Sequence, residues 1–214
     1  MQARRPGVIV VPVLAVSWAL AAAAPPHRIE QNAAALRTSV IDNARVRVIT
    51  AASSKDLDRH PAAVVVALED SATAKAGDAY WTGDLKGRKD FGTARLAIVE
   101  PKTGSGTPSP AAPSGSKPGD APFKGMSFVA QFENDRVAVI RARMDVGATE
   151  GFHTHGADTI VVYLSDGTIE DTADGRTTVR RWKRGDVEFE AKGSSHSARN
   201  LGAAVDAVLV TLKP

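Results

Sequence analysis

Apolar and polar positions along this chain alternate in short blocks. Val- and Ile-rich runs occupy residues 46–50, 64–68, 137–143, 159–164, 177–182 and 205–212, and turn pairs such as Asp166-Gly167, Asp174-Gly175 and Arg184-Gly185 separate them. Runs this short, rich in β-branched residues and bounded by Asp-Gly or Arg-Gly, predict strands and hairpins. A helical pattern is confined to residues 30–37. Many short strands at close spacing predict an all-β jelly roll or barrel.

Two other stretches punctuate the pattern. The chain opens on a basic Met-Gln-Ala-Arg-Arg-Pro, and residues 7–24 follow without a charge, ending in small residues that suit an Ala-x-Ala cleavage site. Residues 1–24 therefore read as a signal peptide cleaved between Ala21 and Ala24, with an uncleaved anchor as the alternative. The expected location is periplasmic or secreted, with no membrane contact after cleavage. Residues 102–125 hold 14 Gly, Pro or Ser among 24 and show no periodicity, which predicts a flexible linker. It separates an N-terminal half, 28–101, from a C-terminal domain, 126–214.

The two parts resemble each other in four collinear blocks: Asn43–Ile49 with Asn134–Ile140, Ala63–Asp70 with Thr159–Asp166, Gly77–Trp81 with Gly185–Phe189, and Ala94–Val99 with Asp206–Thr211. Order is kept throughout, as in a tandem duplication.

Composition narrows the chemistry. A formal charge of +3 with 5% aromatic residues gives no basic, ring-studded field for nucleic acid. The absence of cysteine excludes disulfides, thiol catalysis, Cys-ligated zinc and iron–sulfur clusters. A metal would have to rest on His, Asp or Glu, and the five histidines are His27, His60, His153, His155 and His196. His153 and His155 stand two apart at the start of a strand, where alternation puts both imidazoles on one face. His196 lies in a Gly-Ser-Ser-His turn that a folded-back sheet could bring alongside. The N-terminal half has no such pair, its His60 being followed by Pro61. Arg176, Arg180, Arg181, Lys183 and Arg184 read as a solvated hairpin surface.

Gly147, five residues, His153-Thr-His155 and a strand ending at Gly167 form one motif. Gly185, five residues, Ala191 to His196 and Asn200 form a second, with Ala191 at a position usually held by proline. On these motifs the stretch 128–214 resembles the cupin family. The resemblance implies a double-stranded β-helix barrel, and with the internal repeat a bicupin whose N-terminal half is degenerate. It also implies that His153, His155 and His196 face inward to hold one divalent ion (Fe, Zn, Mn, Ni or Cu), and that homodimers form.

One departure matters. The family glutamate, expected after an interval of three or four residues beyond the second histidine, is replaced by Thr159 and Ile160. Asp158 projects to the opposite face by parity unless a bulge re-aims it. Thr159 and Tyr163 share a face and are candidates to line the pocket with Asp158, although core packing with a satisfied hydroxyl is the simpler role for Tyr163. Three neutral imidazoles would leave the metal's charge uncancelled and so favour a small anionic ligand. No general base besides the histidines is evident. The family resemblance allows a dioxygenase-like or isomerase-like enzyme, and equally a non-catalytic barrel that binds a small anion or a metal, or serves a structural role.

Overall fold

A computed structural model describes residues 38–51, 54–85, 90–102 and 123–214. The expected signal peptide, the helical pattern at 30–37 and most of the linker lie outside these residues. The fold is an all-β jelly roll, with thirteen strands, one short α-helix and one 3-10 helix (Ser54–Arg59) among the described residues.

The C-terminal part begins earlier than the expected linker boundary, with β6 (Lys124–Glu133), and continues through β7 (Val137–Thr154), β8 (Thr159–Tyr163), β9 (Gly167–Ala173), β10 (Arg176–Trp182), β11 (Val187–Glu190), β12 (Ser195–Asn200) and β13 (Val205–Leu212). These form one curled antiparallel sheet in the order β10-β9-β12-β7-β13-β8-β11, with β6 on β7. The curl depends on β7. Its first half pairs with β13 and its second half with β12, so one strand serves both walls. Gly147, at φ 73°, supplies left-handed backbone within the bend. The buried Asn200 amide anchors it by donating to the Asp145 and Ala203 carbonyls, both at 2.9 Å.

The N-terminal part comprises β1 (Thr38–Asp42), β2 (Val46–Ala51), β3 (Val64–Ala67), β4 (Ala79–Trp81), α1 (Thr82–Leu85) and β5 (Leu96–Pro101), and its strands form a single sheet ordered β1-β2-β5-β3-β4. That order reproduces β6-β7-β13-β8-β11. Counterparts of β9, β10 and β12 are not among the described residues. The turns match atom for atom. Asn43 Oδ1 accepts from the Arg45 and Val46 amides as Asn134 Oδ1 does from those of Arg136 and Val137. Asp70 binds the Ala76 amide and the Lys75 ammonium as Asp166 binds those of Arg184 and Lys183. Gly77 and Gly185 both sit at φ 91°.

Three of the four sequence blocks coincide with these equivalences, and the fourth is shifted by one. Leu68 N bonds Arg95 O where Leu164 N bonds Asp206 O, so Arg95, not Ala94, matches Asp206. A one-residue slip would exchange the two faces of β5 and turn Val99 away from the core between the sheets.

The two sheets pack face to face through one apolar core. Val46, Val48, Val64, Val66, Leu68 and Val99 meet Val137, Val139, Ile160, Val162, Leu164 and Val210. The contacts are reciprocal, since a side chain added at Gly77 would strike Leu164 and one at Gly185 would touch Leu68. Because Leu68 and Leu164 contribute to the same cluster, Leu68→Ala and Leu164→Ala should each cost about 2–4 kcal/mol. Chemical denaturation should show a single transition for both variants, the two sheets unfolding together.

Candidate metal centre

The inner cavity lies on the other face of the same wall. Parity on β8 sends Ile160 and Val162 outward to the shared core and Thr159, Val161 and Tyr163 inward. His153 and His155 come from the end of β7, and His196 from β12, which pairs with it in register His196 to His153. Backbone bonds from His155 N to Ser194 O and from Gly193 N to His155 O fasten the two histidine-bearing segments together. One nitrogen from each of the three imidazoles lies within 4.8 Å of the others, and the ring centroids are 4.7–5.1 Å apart. The expected triad is therefore brought together.

Two ring orientations are fixed from behind. His153 Nδ1 bonds Gly151 O at 3.0 Å, and His196 Nδ1 bonds Asp171 Oδ1 at 2.9 Å. These bonds turn Nε2 of each ring toward the cluster, and His196 Nε2 is buried with no hydrogen-bond partner. A buried ring nitrogen left unpaired is costly, and a metal ion is the partner that three convergent imidazoles suit. Burial, with the neighbouring His196 and His153, lowers the His155 pKa to about 4, which keeps its ring neutral and able to ligate. The donor set thus fits a divalent ion at imidazole distances of about 2.0–2.1 Å.

Carboxylates surround the triad, contrary to the sequence expectation. Glu150 Oε1 is 3.4 Å from His153 Nε2, and Glu190 Oε2 is 3.3 Å from His155 Nδ1. Burial and then the nearby Glu188 and Glu150 raise Glu190 to about 8. Two carboxylates thus stand beside the three imidazoles, and the histidines are not the only bases at hand. The missed signal was alternation: Val187-Glu-Phe-Glu190 puts both glutamates on one face of β11 and both apolar residues on the other.

The remaining candidates divide. Tyr163 lines the cavity, donates to Glu188 Oε2 at 2.7 Å and stacks on Trp182 with centroids 4.2 Å apart. Burial, and then Glu188, push its pKa upward. The Thr159 hydroxyl spends itself on Ala157 O and Thr211 Oγ1, both at 3.4 Å. Asp158 does not line the cavity. Its carboxylate binds Arg45 Nε and the Lys192 amide, each at 2.9 Å, as strand parity predicted for the outward face. Arg180, half-buried, turns toward the chamber rather than wholly to solvent. It shares parity with Trp182, ion-pairs with Glu188 and lies 3.7 Å from Asp171.

Beyond the triad, Met126, Met144, Val161, Ile169, Trp182 and Leu209 give the chamber an apolar lining, and its volume is about 100 Å³. Arg143, Glu150, Arg180, Glu188 and Glu190 add charged groups to that lining.

No family model and no curated protein matches the chain. Among solved structures it is similar to cupin domains. A cupin domain from Bordetella pertussis is 24% identical, covering 43% of this chain and 97% of that one, at a TM-score of 0.40. An RmlC-like cupin from Shewanella frigidimarina is 16% identical over 46% of this chain and 89% of that one, at 0.36. The polyketide cyclase RemF from Streptomyces resistomycificus is 15% identical over 42% and 66%, at 0.37.

The Trp182 wall leaves no room at Gly167, where an added Cβ would lie 2.1 Å from the indole ring. Gly167→Ala should therefore destabilise the protein by about 1–3 kcal/mol and disturb the Tyr163–Trp182 stack, read by denaturation and near-ultraviolet circular dichroism.

Proposed function

We propose that this protein is a divalent-metal-binding cupin in which His153, His155 and His196 hold the ion and the apolar chamber receives a small molecule beside it. The observation that carries this reading is the inward-facing His196 Nε2, buried and unpaired within reach of two other imidazoles. When bound, the metal would supply a Lewis acid with positions open to oxygen donors of the ligand. Asp171 fixes the His196 tautomer, Gly151 fixes that of His153, and Glu150 and Glu190 offer carboxylates where a proton could be taken or given. The chamber's lining, apolar residues interrupted by Arg180, Glu188 and Glu190, suits a small molecule with both apolar and polar groups. Export rests on residues 1–24 alone, and intact mass of the secreted protein should place its first residue between Ala21 and Ala24.

The deciding experiment is elemental mass spectrometry of untagged protein beside His153→Ala and His196→Ala. Near-stoichiometric metal in the parent, lost in both variants, is the expected result. Iron would direct assays toward oxygenase chemistry, and zinc, nickel or manganese toward isomerase or hydrolytic chemistry. No uptake after reconstitution with each ion would overturn the reading. Asp171→Ala should keep the fold and weaken metal affinity about 10–100-fold, measured by chelator competition.

A further inference from the structure

The residue that ties the N-terminal sheet to the histidines is Arg45, in the turn between β1 and β2. Its Nε donates to Asp158 Oδ2 at 2.9 Å, and Asp158 Oδ1 accepts from the Lys192 amide, also at 2.9 Å. Asp158 stands three residues after His155, and Lys192 four residues before His196. One carboxylate therefore holds both segments that carry these ligands, and the arginine holds the carboxylate. The Asp158 side chain is only 9% exposed, so without Arg45 its charge would be buried beside a single amide. The Asp158 carbonyl is pinned as well, accepting from Leu212 N at 2.8 Å.

The internal repeat isolates what is special here. Arg45 and Arg136 occupy equivalent turns, but the position matching Asp158 in the N-terminal half is Ala62. Arg136 accordingly reaches a carbonyl, Pro101 O, at 2.8 Å. The acid is present only where the neighbouring strands bear histidines.

We infer that Arg45 is a positioning residue for the metal centre: through Asp158 it locks the 156–158 and 191–194 segments and so sets where His155 and His196 stand. In its function this rests on the metal reading above, whereas its mechanical part does not need metal.

The test compares Arg45→Met with Arg136→Met by amide hydrogen exchange on metal-free full-length protein. In Arg45→Met the His155, Lys192 and Gly193 amides should exchange about tenfold faster, with the β9–β10 hairpin unchanged. Arg136→Met should leave all of these as in the parent. Zinc affinity by chelator competition should fall about tenfold in Arg45→Met and recover in part in Arg45→Lys. Unchanged exchange at the three amides, or a uniform rise across the molecule in either variant, would overturn the inference. So would unaltered zinc affinity in a protein whose parent binds zinc. A parent that binds no metal would defeat the metal reading alone, since the exchange data still decide the lock. Should Arg45→Met fail to fold, Asp158→Asn, which keeps the shape and removes the charge, takes its place with the same expectations.

Discussion

A strand buried on both faces must have a layer on each side, and β8 is such a strand. All five of its residues are buried, with Val161 and Tyr163 toward the chamber and Ile160 and Val162 toward the other sheet. The barrel wall it belongs to would otherwise present a broad valine face to water, a surface that soluble proteins rarely tolerate. The N-terminal sheet covers that face with a near copy of the same wall. β3 is equally buried, so each sheet supplies what the other lacks. Covering the wall from outside leaves the inside free to carry chemistry.

Inside, polar groups are joined in a connected set. Asp171 links His196 to Arg180, Arg180 links Asp171 to Glu188, and Glu188 accepts a hydrogen bond from the Tyr163 hydroxyl. Such networks stabilise when complete and cost heavily when broken. Left over are the inward nitrogen of His196 and the indole nitrogen of Trp182, both buried without a hydrogen-bond partner. Equivalent positions in the N-terminal sheet show what happens without a site: Ala67 stands for Tyr163, Tyr80 for Glu188 and Thr82 for Glu190. The backbone pattern is held constant while the inward chemistry is not.

The outward half of this design was legible in the sequence, because a shared core writes itself as Val, Ile and Leu at period two. The turns were legible too, since Gly77, Gly185 and the Asx turns at Asn43 and Asn134 each need a particular residue. The His153-x-His155 pair and His196 were found from motif register. What escaped was polar and distant. β9 and β12 carry Asp171 and His196 on inward faces and so lack a hydrophobic period. Glu190 reaches His155 from a strand far along the sequence, Glu150 meets His153 across an odd spacing on β7, and Arg180 resembled its solvated neighbours until Trp182 set the parity. That the N-terminal half is one sheet lying against the barrel was not legible, since covering an apolar wall is a tertiary requirement.

Because β8 is at once the chamber's wall and the centre of the core behind it, the chamber cannot dilate independently. Moving Val161 outward would press Ile160 and Val162 against Val64 and Val66 of the opposite sheet. Close-packed interiors resist such displacement. The stiffness of the N-terminal sheet thereby sets the shape of an inner wall that it never touches.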